Sequence, residues 1–299
     1  MVEWLYALIQ AVILAALAPL IQGFVRTLKA RLQNRRGPGI LQPYYNLAKL
    51  LSKDMVVSQN SSWLFWITPL IYFGATFAVA AILPLFDVAQ KDFADLFLLV
   101  ELLALGRFFL SLASLDTGSS FTAMGASREL FVSVLVEPAL FLAFLAAVGS
   151  TGSTGLYAMS RSAESHPITL PFVLATVAFF FVVIAECGRI PVDNPDTHLE
   201  LTMFHEGMTL EYSGRFLALI EWASMLKQAA VLTIFVQFFL PWNWIELIPW
   251  PIFWVGVKVF LAAALMAAVE TSTVKMRVFN LASFLAASGL LSLLALVAK

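Results

Sequence analysis

Eight apolar runs, at residues 4–25, 64–86, 96–114, 130–149, 169–187, 215–239, 250–270 and 278–297, constrain this chain more than any motif in it. About 20 apolar residues are what an α-helix needs to cross about 30 Å of hydrocarbon. A composition of 61% hydrophobic and 12% charged residues leaves too little polar surface to cover a soluble globule of 299 residues. The expectation is an all-α polytopic membrane protein with about eight transmembrane helices, forming a single integral membrane domain over 1–299. Glu3 precedes the first run without any Lys or Arg, so the basic n-region of a cleaved signal peptide is missing and the run reads as a retained helix.

Basic residues set the orientation. The connections after the first, third, fifth and seventh runs hold Arg26, Lys29, Arg31, Arg35, Arg36, Lys49, Lys53, Arg128, Arg189, Arg215, Lys275 and Arg277, whereas the other side holds Lys91, Arg161 and Lys299. That bias places the long first loop in the cytoplasm and both termini outside; the cytoplasmic (inner) membrane is the expected location. A formal net charge of −1 says nothing about nucleic acid, no nucleic-acid partner is expected, and the basic patch of the first loop could meet anionic lipid or an acidic protein face. The one cysteine, Cys187, excludes a disulfide framework and cannot alone hold an iron–sulfur cluster or a structural zinc, so any redox cofactor belongs to partner subunits.

Two connections carry more than topology. In NRRGPGILQPYYNLAKLLSKD the Gly37-Pro38-Gly39 turn breaks any helix, and Pro43 opens a short one in which Leu47, Leu50, Leu51 and Met55 recur at helical spacing. An amphipathic helix in the interface is expected there. Arg35 and Arg36 beside that turn could grip acidic groups of a partner; an ordinary basic loop that only anchors topology accounts for the same residues. The connection after the fifth run, ECGRIPVDNPDTHLELTMFHEGMTLEY, holds Glu186, Asp193, Asp196, Glu200, Glu206 and Glu211, with Glu221 in the run that follows. Asn194 is placed to cap a helix starting at Pro195, on which Asp196, Glu200 and Glu211 share one face if it persists past Gly207. Carboxylates crowded on one face raise each other's proton affinity; a solvated acidic surface is the plainer alternative.

Charge inside the runs favours an ion route. Glu101, Arg107, Glu137, Glu221, Lys227, Lys258 and Glu270 all fall within them. Each costs at least about 2.5 kcal/mol at the bilayer centre, so such residues turn toward a bundle interior. Pairwise neutralisation, Glu101 or Glu137 with Arg107 and Glu221 with Lys227, is the structural alternative, and Lys258 and Glu270 can snorkel. His198 and His205 are seven apart rather than four, which argues against a metal site. Gly118 to Ser120 and Gly149 to Gly155 read as turns and linkers.

Those two connections carry a resemblance that covers nearly the whole chain. NRRGPGILQPYYNLAKLLSKD is similar to the first-loop signature of a respiratory complex I family, that of the membrane subunit on which the quinone-reactive module sits. ECGRIPVDNPDTHLELTMFHEGMTLEYSGRFLALIEWASMLK is similar to the acidic third loop and sixth helix of the same family. VDNPDTHLELTMFHE departs from the complex I form and resembles, with LDTGSSFTAMGASRE, the membrane subunit of group 4 nickel–iron (NiFe) hydrogenases and formate hydrogenlyase of the hydrogenase-4 type. The resemblance implies that Arg35, Arg36, Gly37, Pro38 and Asp196 face the hydrogenase large and small subunits. It implies a proton pathway through Glu101, Arg107, Glu137, Glu186, Asp193, Glu200, Glu206, Glu211, Glu221 and Lys227, leading toward antiporter-like membrane subunits. It implies no cofactor in this chain, with the NiFe centre and iron–sulfur clusters in partners. The function expected is a non-catalytic, proton-conducting connector. A quinone-site subunit of a complex I-type NADH dehydrogenase is the alternative, and a stand-alone secondary transporter, which would show two matching halves, is a third.

Overall fold

The computed structural model describes residues 2–58, 61–85, 94–165, 169–193, 204–240 and 251–298. Asp196, Glu200, His198, the expected helix start at Asn194-Pro195 and the aromatic residues Trp242, Trp244 and Trp250 lie outside the described residues. The elements in order are α1 Val2–Leu32, α2 Gln42–Ser52, α3 Trp63–Ile82, α4 Leu96–Asp116, α5 Ser120–Thr151, α6 Leu156–Ser165, α7 Leu170–Glu186, α8 His205–Met208, α9 Gly214–Phe239, α10 Pro251–Ser272 and α11 Val278–Val297. The protein is therefore an all-α polytopic membrane protein. Among the described residues seven helices are long and apolar enough to cross a membrane, and α7 is a shorter apolar helix.

The bundle is built around α9. In its apolar window 78% of residues are buried, against 28–50% in the other spans, and it packs on α1, α2, α3, α7 and α10. Phe144 of α5, Phe179 of α7 and Phe235, Phe238 and Phe239 of α9 fill the core between these helices, with the rings of Phe179 and Phe239 stacked 4.4 Å apart. Small residues such as Ala229 and Ala230 let neighbouring backbones approach, as packing without a hydrophobic driving force requires.

Prolines inside two spans tie the bundle together. Pro19 has no N–H to give to the carbonyl four residues earlier, so the Ala15 carbonyl would be orphaned in hydrocarbon. Trp222 of α9 donates its indole N–H to that carbonyl at 2.9 Å. Pro69 likewise frees the Phe65 carbonyl of α3, and the Tyr212 hydroxyl donates to it at 3.3 Å while its ring stacks on Phe65 at 4.1 Å. Burial raises the Tyr212 phenol above its ordinary range, so it keeps the proton it donates.

The expected amphipathic helix is α2. Pro43 and Leu47 are buried, Leu50 packs on the core and Leu51 is exposed. What ends α1 is Asn34, in the left-handed region at φ 56, with the Arg35 N–H returning to the Ala30 carbonyl at 2.8 Å. The Gly37-Pro38-Gly39 segment instead folds the chain back: the Thr27 hydroxyl donates to the Pro38 carbonyl at 2.9 Å, and a Cβ at Gly23 would lie 1.9 Å from the Ile40 carbonyl oxygen.

Three sequence expectations need correction. The stretch before Gly155 is not all linker: α5 runs to Thr151, and after a turn the helix α6 follows, with Leu156, Met159 and Ala163 buried. Glu211 does not lie on a helix continuing past Gly207, the condition for a face shared with Asp196 and Glu200: among the described residues α8 is a single turn ending at Met208, and Glu211 lies beyond it. Glu270 does not snorkel; it is 2% exposed and ion-paired with Lys29 at 3.0 Å.

Candidate functional site

The site begins with the end of α7. Its 17 residues span about 25 Å, less than the hydrocarbon core, so the helix stops inside the bundle and Glu186 at its C-terminus sits level with the middle of α9. Irregular backbone at that depth is tolerated only where it is satisfied within the protein. Here Gly188, at φ +57, closes a Schellman cap: its N–H donates to the Ala185 carbonyl at 3.1 Å and the Arg189 N–H to the Ile184 carbonyl at 3.0 Å. The turn continues with Val192 and Asp193 N–H groups donating to the Arg189 carbonyl, and the Pro191 carbonyl accepts from the Met276 N–H at 2.9 Å.

Glu186 is shared between two cations. Its Oε2 accepts from Arg107 Nη1 of α4 at 3.0 Å, and its Oε1 lies 3.1 Å from Lys227 Nζ of α9. Arg107 also donates through Nη2 to Glu137 of α5 at 3.2 Å. Glu186, Arg107 and Lys227 are 5%, 6% and 8% exposed, whereas the Glu137 side chain is 39% exposed. Two cations and two carboxylates therefore neutralise one another at mid-bundle, and Lys227 pairs with Glu186, not with Glu221 as the pairwise-neutralisation alternative had it. Any proton added to or removed from this set changes the field on all its members.

A cavity of about 430 Å³ opens beside the cluster. Its wall includes Arg26, Glu129, Glu186, Arg189, Asp193, His205, Glu206, Glu221 and Lys227. Five of these are carboxylates and three are permanent cations, and Arg107 and Lys275 pair with Glu186 and Asp193 from behind the wall, so the cavity is lined by ionisable groups of both signs. Asp193 is 4% exposed, pairs with Lys275 at 2.8 Å and accepts the Phe204 N–H at 3.2 Å. The His205 ring lies 6.2 Å from that of Tyr72. Burial, helped by the Lys227 charge, lowers its pKa to about 4, so the imidazole is neutral at pH 7.

The other expected residues distribute as follows. Glu206 and Glu221 line the cavity; Arg107 and Glu137 stand behind its wall and are not part of its lining. Glu101 is exposed on α4, away from the cavity, and Glu211 is half-buried outside it. Arg35, Arg36, Gly37 and Pro38 are exposed on the loop after α1. Sequence reasoning missed Glu129, Arg189, Gln22, Gln228 and Tyr72. Glu129 sits next to Arg128, a loop residue on the sequence reading, yet α5 begins at Ser120 and carries Glu129 onto the cavity wall. The signal available was Ser119, a capping residue type ahead of a run without prolines until Pro138. Among the described residues no group of three His, Cys, Asp or Glu side chains could hold a metal ion.

A helical membrane bundle whose short helix delivers a carboxylate to buried cations beside a cavity lined by charged side chains defines a membrane protein with an ionisable interior. The family model described as NADH dehydrogenase matches residues 5–298. The chain belongs to that family. It is 40% identical to formate hydrogenlyase subunit 4 of Escherichia coli (strain K12) over 246 residues, 81% of this chain and 79% of the relative. It is also 40% identical to hydrogenase-4 component C of the same organism over 245 residues, 80% and 76% of the two chains. To an NADH-quinone oxidoreductase subunit of Rickettsia felis (strain ATCC VR-1525 / URRWXCal2) it is 29% identical over 251 residues, 77% and 73%. The fold matches a chain in the solved structure of the membrane-bound sulfane sulfur reductase, an archaeal respiratory membrane complex, with a TM-score of 0.86 at 19% identity over 100% of this chain and 99% of that one.

Proposed function

We propose that this chain is a membrane-anchoring, proton-conducting connector that couples a cytoplasmic NiFe hydrogenase module to ion-translocating membrane subunits. The observation that carries the reading is Glu186, held between Arg107 and Lys227 on the wall of the cavity. Two relatives at 40% identity, named for formate hydrogenlyase and hydrogenase-4, support the hydrogenase side of it. The nickel–iron centre and iron–sulfur clusters belong to the partner subunits, which dock on the loop bearing Arg35 and Arg36.

The mechanism is electrostatic. A change of charge at the docked redox module alters the protonation of Glu206 and Glu221 at the cavity wall and passes to Glu129 and Glu186 deeper in it. When Glu186 takes a proton, Lys227 and Arg107 lose an anionic partner, and the positive field this uncovers is felt at Glu137 and, further along α4, at Glu101. Those two carboxylates, Glu101 exposed and Glu137 half-buried, are where antiporter-like subunits receive the change.

Purification decides the module. Nickel and iron–sulfur subunits retained with this chain in mild detergent support the reading, whereas a flavin-bearing, quinone-reducing partner set, or an active lone chain, overturns it. Hydrogen evolution recorded with pH change in sealed vesicles then tests conduction.

A further inference from the structure

Pro138, like Pro19 and Pro69, lies inside a spanning helix. Its missing N–H frees the Val134 carbonyl of α5. Trp222 and Tyr212 serve the other two freed carbonyls, but among the described residues no side chain donates to this one. Val134 is 69% exposed and Pro138 is exposed as well, so the freed carbonyl lies on the outer face of the bundle. In hydrocarbon such a group calls for a donor from a neighbouring element.

The same face carries two carboxylates. Phe97 of α4 meets Phe141 of α5 with ring centroids 6.0 Å apart. Four residues on from this pair along each helix, about 6 Å toward the short α4–α5 connection, stand Glu101 and Glu137. Phe108 continues the α4 stripe at helical spacing and Val134 the α5 stripe, and Phe97, Phe108 and Val134 are all at least half exposed. Glu101 is exposed too, and among the described residues it has neither a hydrogen bond nor an ion pair. Glu137 turns to Arg107, whose guanidinium also serves Glu186. Glu101 lies more than a turn inside α4, and its two methylenes reach toward an interface less far than the four of a lysine. A lone carboxylate beside an unanswered carbonyl is an arrangement that a covering of lipid tails penalises and a covering of protein does not.

We infer that the α4–α5 face docks a transmembrane helix of a partner subunit, which presents a lysine or arginine to Glu101 and a side-chain donor to the Val134 carbonyl. Complementarity sets the chemistry of the occupant, because Glu101, Glu137 and the Val134 carbonyl are all acceptors. A second copy of this chain applying the same face would set acceptors against acceptors, which argues against a symmetric pair. That the partner is an ion-translocating subunit rests on the proposed function; the docking face does not.

Cross-linking in native membranes tests it. p-Benzoylphenylalanine at Val134 or at Phe108, photolysed in the assembled complex, should join an apolar span of another subunit, and mass spectrometry of the adduct should find a Lys or Arg in that span. Adducts with lipid alone, with a second copy of this chain, or with a span that has no cation overturn the inference. E101K, which sets like charges together, should lower retention of the cross-linked subunit in mild detergent by at least about tenfold, and E101Q by less. Exchanging the partner's mapped cation for Glu should then restore the E101K complex. Full retention in E101K, or no recovery on the exchange, also overturns the inference. If the cross-link and the charge exchange hold while E101Q leaves proton movement unchanged, the docking face stands and the relay's outlet in the proposed function fails.

Discussion

Glu186 Oε1 lies 3.1 Å from Lys227 Nζ, joining the last residue of α7 to the middle of α9. Glutamine at 186 keeps the volume and some hydrogen bonding but cannot titrate. Glu186→Gln should therefore lower proton movement per hydrogen evolved by at least about tenfold, a floor set below the roughly 10²–10⁴-fold that a positioned proton-transfer group contributes to a rate. Lys227→Met should act alike, because it leaves Glu186 with Arg107 alone. Both rates are read in sealed vesicles against subunit content of the same preparations. Normal coupling in both variants would reduce the cluster to structural pairing.

Glu137 should matter less than Glu186. Its side chain is 39% exposed, and its partner Arg107 keeps Glu186 when Glu137 is gone. Glu137→Gln is expected to lower coupled turnover by a smaller factor than Glu186→Gln in the same vesicles. A larger loss would place the rate-limiting proton step at the bundle surface.

Much of this fold was legible because the bilayer imposes a length. Each of the eight apolar runs has its helix, and Pro43 announced α2. The helix α6 was hidden because it is ten residues long and amphipathic, so glycines on its flank dominated the reading. Buried charges were recognisable as costly, but their partners were not. The fifth run, 169–187, gave the end of α7 to within a residue, but the sequence of one helix cannot show that Glu186 at that end meets Lys227 of α9. Glu270 was misread for the same reason: its place near a helix end suggested snorkelling, while its partner Lys29 lies on α1, far away in the chain.

His205 carries a pH dependence. Its folded pKa of about 4 is below the ordinary 6.5, so above pH 6.5 both folded and unfolded forms are neutral and nothing is lost. Between pH 6.5 and about 4 the unfolded segment takes up a proton that the folded one refuses, and stability falls throughout that window. Lys227 and Asp193 are the charges that act on it. Hydrogen exchange of 204–212, corrected for intrinsic rate, should rise as pH falls from about 7 to about 4.5, and His205→Gln should flatten the rise. A His205→Gln curve parallel to wild type would assign the effect to carboxylates instead.

The loop after α1 should dock the redox module through charge presented on a fixed backbone. Reversing Arg35 and Arg36 to Glu is expected to release the hydrogenase subunits while the chain remains membrane-inserted. Gly23→Ala, whose Cβ would lie 1.9 Å from the Ile40 oxygen, should do so without any change of charge, by displacing the loop. Subunit content after detergent extraction reads both. An intact complex in the charge-reversed variant would move the docking surface elsewhere.

Proline-released carbonyls should account for a measurable share of stability. Trp222→Phe removes the donor to the Ala15 carbonyl and should cost about 1–3 kcal/mol, the penalty for leaving a buried acceptor unpaired. Tyr212→Phe should cost less, because its bond to the Phe65 carbonyl is longer at 3.3 Å and the ring stacking survives. Pro19→Ala restores the N–H that α1 lacks and gives Ala15 an intrahelical partner. In a Trp222→Phe background it should therefore recover part of the lost stability. Detergent unfolding of four chains, the wild type, Trp222→Phe, Pro19→Ala and the pair, yields the coupling directly. Strict additivity would mean that the indole does not serve the carbonyl the proline set free.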